Sequence, residues 1–244
     1  MDILANTDFW LAVLQIIMID ILLGGDNAIV IALACKDLPE NQKRLGIFWG
    51  TIGAIVLRII LIAFALTLLT IPYLKIIGGL LLLWIGIQLL SDQDEDDPNV
   101  TSSDKLFAAI KTVILADLIM SIDNVVAVAG AAEAAGDEHK LLLVSFGLLV
   151  SIPFIVYGST ILVKLMNKFP IIITIGGLVL GWISGNMFIS DPALISLMNE
   201  YTFLDVDFSL INNLNYFASF IGAILVLIAS KMLNKFHSSK ISND

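Results

Sequence analysis

The chain has 244 residues, of which 58% are hydrophobic and only 14% are charged, and its mean hydropathy is +0.95. This composition excludes a soluble globular protein and indicates a polytopic membrane protein. The formal net charge of −9 argues against a nucleic-acid partner, and one cysteine with two histidines excludes a thiolate or imidazole metal site. Any metal ion would therefore be bound by oxygen.

Seven apolar runs follow one another along the chain, each near the length of about twenty residues that a helix needs to cross a bilayer. They lie at residues 9–34, 45–70, 71–90, 105–132, 141–165, 169–188 and 216–233. The N-terminus lacks the positively charged start of a secretory signal, so we expect the first run to be retained in the membrane.

Lysine and arginine residues predict the orientation of these runs. If the N-terminus is outside, the inner segments hold ten basic residues and the outer segments hold two. Basic residues concentrate on the cytoplasmic side of membrane proteins. We therefore expect a multi-pass protein of the cell membrane with its N-terminus outside and its C-terminus in the cytoplasm, as an odd number of helices requires.

A polar motif occurs in both the first and the fourth run. Two carboxylates and one amide recur at the same spacing, 97 residues apart: Asp20, Asp26 and Asn27, then Asp117, Asp123 and Asn124. An ionised side chain near the centre of a membrane helix costs about 2.5–3.5 kcal/mol on insertion scales. Such residues indicate a functional site unless something else explains them.

The repeat extends beyond this motif. Gly50 matches Gly147 at the same offset, and Pro72 matches Pro170 after one inserted residue. Three helices per copy is an odd number, so the two copies must enter the membrane from opposite sides, as in many transporters. Small residues spaced four apart should form close-packing ridges between helices. They are Gly46, Gly50 and Ala54 in one copy, and Gly177, Gly181 and Gly185 in the other.

The sequence therefore predicts an all-α membrane protein with seven transmembrane helices, built from two inverted three-helix repeats plus one extra C-terminal helix. The expected segments are a first repeat at 1–90, an acidic cytoplasmic linker at 91–104, a second repeat at 105–190, an acidic extracytoplasmic loop at 191–215, and a seventh helix with a cytoplasmic tail at 216–244. The seventh helix is expected to be an accessory. The acidic segments are expected to be solvated linkers, with weak attraction of cations to a pore mouth as the alternative.

The spacing of the motif predicts a deformed first helix. In a continuous helix Asp20 and Asn27 share one stripe, whereas Asp26 lies about 100° away from it. The three side chains can converge only if the helix is broken, and Gly24-Gly25 permits a break. The second copy has serine and isoleucine there, so we expect a sharper break in the first helix than in the fourth.

Four carboxylates and two amide oxygens suit calcium, magnesium or manganese better than zinc or copper. Four ionised aspartates around one divalent ion leave an excess of about two negative charges, so some should be protonated when the ion is absent. Such groups meet the minimum requirement for cation/proton antiport. Arg58, in the second run, is not expected to be a metal ligand. It would either neutralise an aspartate as a structural ion pair or act as a tethered cation that the substrate displaces.

The segments Gly24-Gly25-Asp26-Asn27-Ala28 and Ser121-Ile122-Asp123-Asn124-Val125-Val126-Ala127 resemble the duplicated signature of the TerC family, historically tied to tellurium resistance. The resemblance implies a relationship to the LysE-type exporter superfamily and, as in several bacterial members, manganese efflux that supplies metal to exported proteins. It carries the metal role onto Asp20, Asp26, Asn27, Asp117, Asp123 and Asn124. No prosthetic group is expected, and Mn²⁺ or another divalent cation would be the transported substrate.

Three functions remain open from the sequence. The leading one is a secondary transporter that exports a divalent cation through the lipid bilayer. The second is a non-transporting membrane partner, acting in tellurite or metal stress resistance or in metalation of secreted proteins by holding other membrane proteins. The third, an intramembrane aspartyl protease, is disfavoured because those enzymes resemble a Tyr-Asp plus Gly-x-Gly-Asp pattern, whereas this chain has Ile19-Asp20 and Gly24-Gly25-Asp26. We expect no enzyme activity, and a homo-oligomer remains open.

Overall fold

The computed structural model describes residues 7–64, 68, 70–91, 101–133, 140–201 and 208–241. Over these ranges it contains nine helices and no strand, which confirms an all-α protein. The helices are α1 Thr7–Leu23, α2 Gly25–Cys35, α3 Glu40–Ala63, α4 Leu74–Leu90, α5 Ser102–Glu133, α6 Lys140–Lys168, α7 Ile171–Ile189, α8 Pro192–Tyr201 and α9 Phe208–Ile241.

Eight of the nine described helices lie on the predicted apolar runs, and the first run is divided between α1 and α2. Helix α8 lies outside these runs, in the predicted acidic loop. Four stretches are long and apolar enough to cross a membrane: α3, Val144–Lys168, α7 and Asn213–Lys235. The bent pair Val13–Leu23 and Gly25–Cys35 makes a fifth if it counts as one span, and the apolar helix α4 is shorter, with 17 residues. These helices are those of an integral membrane protein, whereas the count of seven spans stays a prediction.

The chain divides into two compact units. The first comprises Met1–Leu69 and Ser102–Asn167, and the second comprises Thr70–Thr101 and Lys168–Asp244. The first unit thus holds the first two helices of each predicted repeat, and the second holds the third helix of each together with α8 and α9. Each unit is assembled from both repeats, while the repeat boundaries themselves stay a prediction.

Glycines allow close helix contacts in the first unit at equivalent positions of the two copies. A Cβ atom on Gly50 of α3 would lie 2.9 Å from Cγ1 of Val113 on α5. A Cβ on Gly147 of α6 would lie 2.6 Å from Cγ2 of Ile16 on α1. Both members of the first pair are 97 residues from their counterparts in the second. The close-packing interpretation of Gly50 is therefore confirmed, and the contact recurs across the sequence repeat.

The second unit is held together by backbone contact between α7 and α9. A Cβ on Gly181 would lie 2.5 Å from the carbonyl oxygen of Gly222, and a Cβ on Gly185 would lie 2.6 Å from Cα of Ser219. Neither glycine leaves room for a side chain, because the neighbouring backbone occupies that space. Helix α9 therefore packs directly against α7 in this unit, while its place outside the repeat stays a prediction.

Asp191, in the predicted acidic loop, is completely buried with 0% of its surface exposed. Its Oδ1 accepts hydrogen bonds from the main-chain nitrogens of Tyr73 at 3.0 Å and Ala193 at 2.8 Å. Its Oδ2 accepts from those of Lys75 at 3.1 Å and Ile76 at 3.3 Å. Asp191 therefore caps the first turns of both α4 and α8, and the solvated interpretation is wrong for this residue. Most of the other acidic residues of the two segments lie outside the described residues, in 92–100 and 202–207.

Candidate functional site

The predicted break in the first helix lies at Gly24. Helix α1 ends at Leu23, α2 begins at Gly25, and the two are bent by 50°. A Cβ on Gly24 would collide with the main-chain oxygen of Asp20, so only glycine fits this backbone without a shift. In the second copy α5 runs unbroken from Ser102 to Glu133. The expectation of a sharper break in the first helix is confirmed.

A buried ion-pair cluster joins the two copies. Nη1 of Arg58, on α3, donates to Oδ1 of Asp20 on α1, and Nη2 donates to Oδ1 of Asp117 on α5. Nε of the same guanidinium donates to Oγ of Ser121 at 2.9 Å. The exposed fractions are 2% for Arg58, 1% for Asp20 and 6% for Asp117. One aspartate of each predicted repeat therefore meets the same buried arginine.

Two serines complete the cluster. Oγ of Ser121 donates to Oδ2 of Asp117 at 3.1 Å, and Oγ of Ser151 on α6 donates to Oδ2 of Asp20. All four carboxylate oxygens of the pair thus accept a hydrogen bond from the protein. The sequence reasoning missed both serines. Ser121 stands one helical turn after Asp117, a spacing that could have indicated it, whereas Ser151 carries no local signal.

The remaining motif residues surround the break. Asp26, partly exposed in the first turn of α2, accepts a hydrogen bond from the main-chain nitrogen of Asn27 at 2.8 Å. Asn27 is 3% exposed, and neither Nδ2 nor Oδ1 of its side chain has a hydrogen-bond partner among the described residues. A buried amide without a partner is costly, so Asn27 has bonding capacity left for a ligand.

Asn124 and Asp123 belong to the second copy of the motif on α5. Nδ2 of Asn124 is buried and has no hydrogen-bond partner within the described part of the chain. The side chain of Asp123 lies outside the described residues. The second copy therefore shows the same unpaired amide donor as the first.

Three of the six predicted ligands are carboxylates with described side chains, Asp20, Asp26 and Asp117, and they do not form a group that could hold a metal ion. Among the described side chains, no three of the histidine, cysteine, aspartate and glutamate residues are placed to hold a metal ion. The guanidinium of Arg58 lies instead between Asp20 and Asp117. With both carboxylates ionised, the two aspartates and the guanidinium give the cluster one net negative charge. The metal role of the six residues stays a prediction.

The two copies differ at the position of the arginine. Ile155 of α6 stands 97 residues after Arg58, and Ser121 stands 97 residues after Gly24. Cδ1 of Ile155 lies 4.0 Å from the position that a Cβ on Gly24 would occupy. The polar contact between Arg58 and Ser121 thus has an apolar counterpart between Ile155 and Gly24. The cluster receives its positive charge from one copy alone.

Comparison with known proteins identifies the family. The sequence model of the integral membrane protein TerC family matches residues 5–238. The chain is 41% identical over 194 residues to the uncharacterized membrane protein YjbE of Bacillus subtilis (strain 168), across 80% of this chain and 86% of YjbE. It is 24% identical over 178 residues to the uncharacterized membrane protein YceF of the same organism, across 69% of this chain and 67% of YceF.

A more distant relative is longer than this chain. The UPF0053 protein YegH of Escherichia coli (strain K12) is 23% identical over 192 residues, which make up 71% of this chain and 35% of YegH. No solved structure matches the chain. The match over nearly the whole length shows that the chain belongs to the integral membrane protein TerC family.

Proposed function

We propose that this chain is a secondary transporter that exports a divalent metal cation, in the first place Mn²⁺, across the cell membrane. The observation that carries the proposal is the buried cluster of Asp20, Arg58 and Asp117, which unites one carboxylate from each copy of the motif beside a broken helix. Ionisable groups inside membrane helices are rare and mark ion pathways. A helix bundle that serves only to hold other proteins would not need two buried carboxylates in its core.

Charge balance favours a divalent substrate. With its carboxylates ionised the cluster carries one net negative charge, and Asp26 and Asp123, the second carboxylates of the two motif copies, add two more when ionised. A divalent cation neutralises more of this charge than a monovalent cation does, and protonation can remove the remainder. Carboxylate and amide oxygens suit manganese, magnesium and calcium. Manganese is placed first because of the family resemblance.

The inverted repeat, with seven spans and the N-terminus outside, is part of the same proposal. It is supported by contacts that recur 97 residues apart: Gly50 with Val113 corresponds to Gly147 with Ile16. In an inverted repeat the broken helix and its polar residues lie near the middle of the bilayer, where alternating access requires the substrate site. Proton exchange is the proposed coupling, because carboxylates that lose a metal ion in an apolar surrounding favour protonation.

The pairing of Arg58 with both Asp20 and Asp117 also argues against a catalytic aspartyl dyad. Such a dyad needs two carboxylates that share a proton and activate water between them. Here a guanidinium contacts both carboxylates, and serine hydroxyls bind their remaining oxygens. We therefore propose that the chain is not an enzyme.

Cation flux into proteoliposomes with an enclosed metal-sensitive dye tests the proposal. We expect Mn²⁺ flux for the native protein and its loss in Asp26→Asn and in Asp123→Asn, with Mg²⁺ and Ca²⁺ compared in parallel. Asp37→Asn is the matched control, because the side chain of Asp37 is 63% exposed and pairs with Lys36. A pH gradient that changes the flux would support proton exchange. A folded native protein that moves none of the three cations would contradict the proposal and favour the membrane-partner function.

A further inference from the structure

The two carboxylates of the cluster are held in different ways, and Asp117 is held in a closed ring. Nη2 of Arg58 donates to Oδ1 of Asp117, and Nε of Arg58 donates to Oγ of Ser121 at 2.9 Å. The hydroxyl of Ser121 in turn donates to Oδ2 of Asp117 at 3.1 Å. Each of the three side chains contacts the other two. If Asp117 were removed, Arg58 and Ser121 would each lose one hydrogen-bond acceptor.

Asp20 has no such ring around it. Its Oδ1 accepts from Nη1 of Arg58, and its Oδ2 accepts from the hydroxyl of Ser151. That hydroxyl has a second acceptor, the carbonyl oxygen of Leu148 on its own helix, at 2.8 Å. A hydroxyl carries one hydrogen, so Ser151 can donate to only one of the two at a time. When Asp20 moves away from Ser151, the serine hydroxyl can still donate to the carbonyl oxygen of Leu148. Helical serines commonly form this kind of local hydrogen bond.

The backbone also distinguishes the two aspartates. Asp20 lies in the last turn of α1, which ends at Leu23 before the 50° bend at Gly24. Asp117 lies in the interior of α5, which has 32 residues without a break. The end of α1 can change direction at Gly24 without loss of internal helix hydrogen bonds, whereas a shift of Asp117 would have to carry the continuous helix with it.

We propose that Asp20 is the carboxylate that changes partner during transport, an inference that rests on the proposed function. In the cation-free protein Asp20 pairs with Arg58, and on loading it passes to the divalent cation while Arg58 stays bound to Asp117 and Ser121. In the loaded state Asp20 and Asp26 neutralise the cation and Asp117 neutralises Arg58, so this balance does not require Asp123 to be ionised. Arg58 is therefore an internal substitute for the substrate and lowers the affinity of the site by competing for Asp20.

Two double variants of equal charge separate the roles of the aspartates. Arg58→Gln with Asp117→Asn removes the pair that stays together, and Arg58→Gln with Asp20→Asn removes the exchanging carboxylate. Each loses one positive and one negative charge, and neither leaves an unpaired arginine in the core. The measurement is equilibrium binding of Mn²⁺ to the detergent-purified protein, followed by loss of the free Mn²⁺ signal in electron paramagnetic resonance.

The first double variant should bind Mn²⁺ at least as tightly as the native chain, because the competitor is gone and Asp20 remains. The second should bind at least about 30-fold more weakly, as expected when a buried charged partner is lost. The opposite order, or equal binding by both variants, would overturn the assignment of Asp20. Failure of the native chain to bind or move any divalent cation would instead overturn the proposed function itself.

Single serine variants keep the proposal testable if a double variant does not fold. Ser151→Ala removes one hydrogen bond that holds Asp20 in the cation-free state, so Mn²⁺ binding should become tighter by about tenfold. Ser121→Ala loosens Asp117, which is not exchanged, and should give no tighter binding. Tighter binding in Ser121→Ala but not in Ser151→Ala would refute the exchange at Asp20. Size-exclusion profiles and far-ultraviolet circular dichroism establish the folding of every variant.

Discussion

Asp191 should be one of the most important residues for the stability of the second unit. Its carboxylate accepts four main-chain hydrogen bonds, from Tyr73, Lys75, Ile76 and Ala193. A buried N–H group left without a partner costs about 1–3 kcal/mol. Asp191→Ala removes all four bonds, and we expect a destabilisation of about 4 kcal/mol once partial access of water is allowed for. Asp191→Asn keeps one oxygen and should cost about half as much.

Thermal unfolding in detergent, followed by intrinsic fluorescence, measures this effect. For a chain of this size about 4 kcal/mol corresponds to a melting temperature lowered by roughly 10 °C. Asp37→Asn is the control, because Asp37 is 63% exposed and its ion pair with Lys36 spans 3.6 Å, a kind of pair worth less than about 1 kcal/mol. An Asp191→Ala protein with the same melting temperature as the native protein would refute the capping role.

Three further predictions concern glycines and the single cysteine. Gly24→Ala places a Cβ against the carbonyl oxygen of the preceding turn and should reduce Mn²⁺ flux severalfold, whereas Gly25→Ala, with open space around it, should leave the flux near native. Gly185→Ala should lower the melting temperature by several degrees because α9 backbone occupies the space, while Gly158→Ala, which meets no atom within 4 Å, should raise it slightly through helix propensity. Cys35 is 0% exposed, so a maleimide should label it only after unfolding, and rapid labelling of the folded protein would contradict its burial.

The helices and the broken first helix could be predicted because both depend on local sequence. Long apolar runs specify membrane helices wherever they occur, and Gly24 permits a backbone that a side chain at that position would obstruct. The small-residue ridges were predictable for the same reason, since a spacing of four places Gly181 and Gly185 on one helix face. The short helix α8 was not predicted, because acidic and polar residues around it indicate a loop.

The partners within the site could not be predicted from the sequence. The sequence alone predicts that Arg58 neutralises one aspartate or acts as a tethered cation, whereas the structure places it against two aspartates. They are Asp20 and Asp117, at sequence separations of 38 and 59 residues. Such contacts depend on how distant helices pack together, and the residues next to each position in the sequence do not reveal this packing. The same holds for Ser151, 131 residues from Asp20, and for the contact of Asp191 with the start of α4, more than a hundred residues away.

The measurement that tests the transport proposal most directly is the initial rate of Mn²⁺ flux into proteoliposomes at increasing Mn²⁺ concentration. It compares the native protein with the double variant Arg58→Gln and Asp20→Asn, whose net charge is unchanged. We expect a saturable flux for the native protein and, at concentrations that half-saturate it, a flux for the variant close to the leak of liposomes without protein. A folded native protein no faster than empty liposomes, or a variant as fast as the native protein, would contradict a cation pathway through the buried cluster.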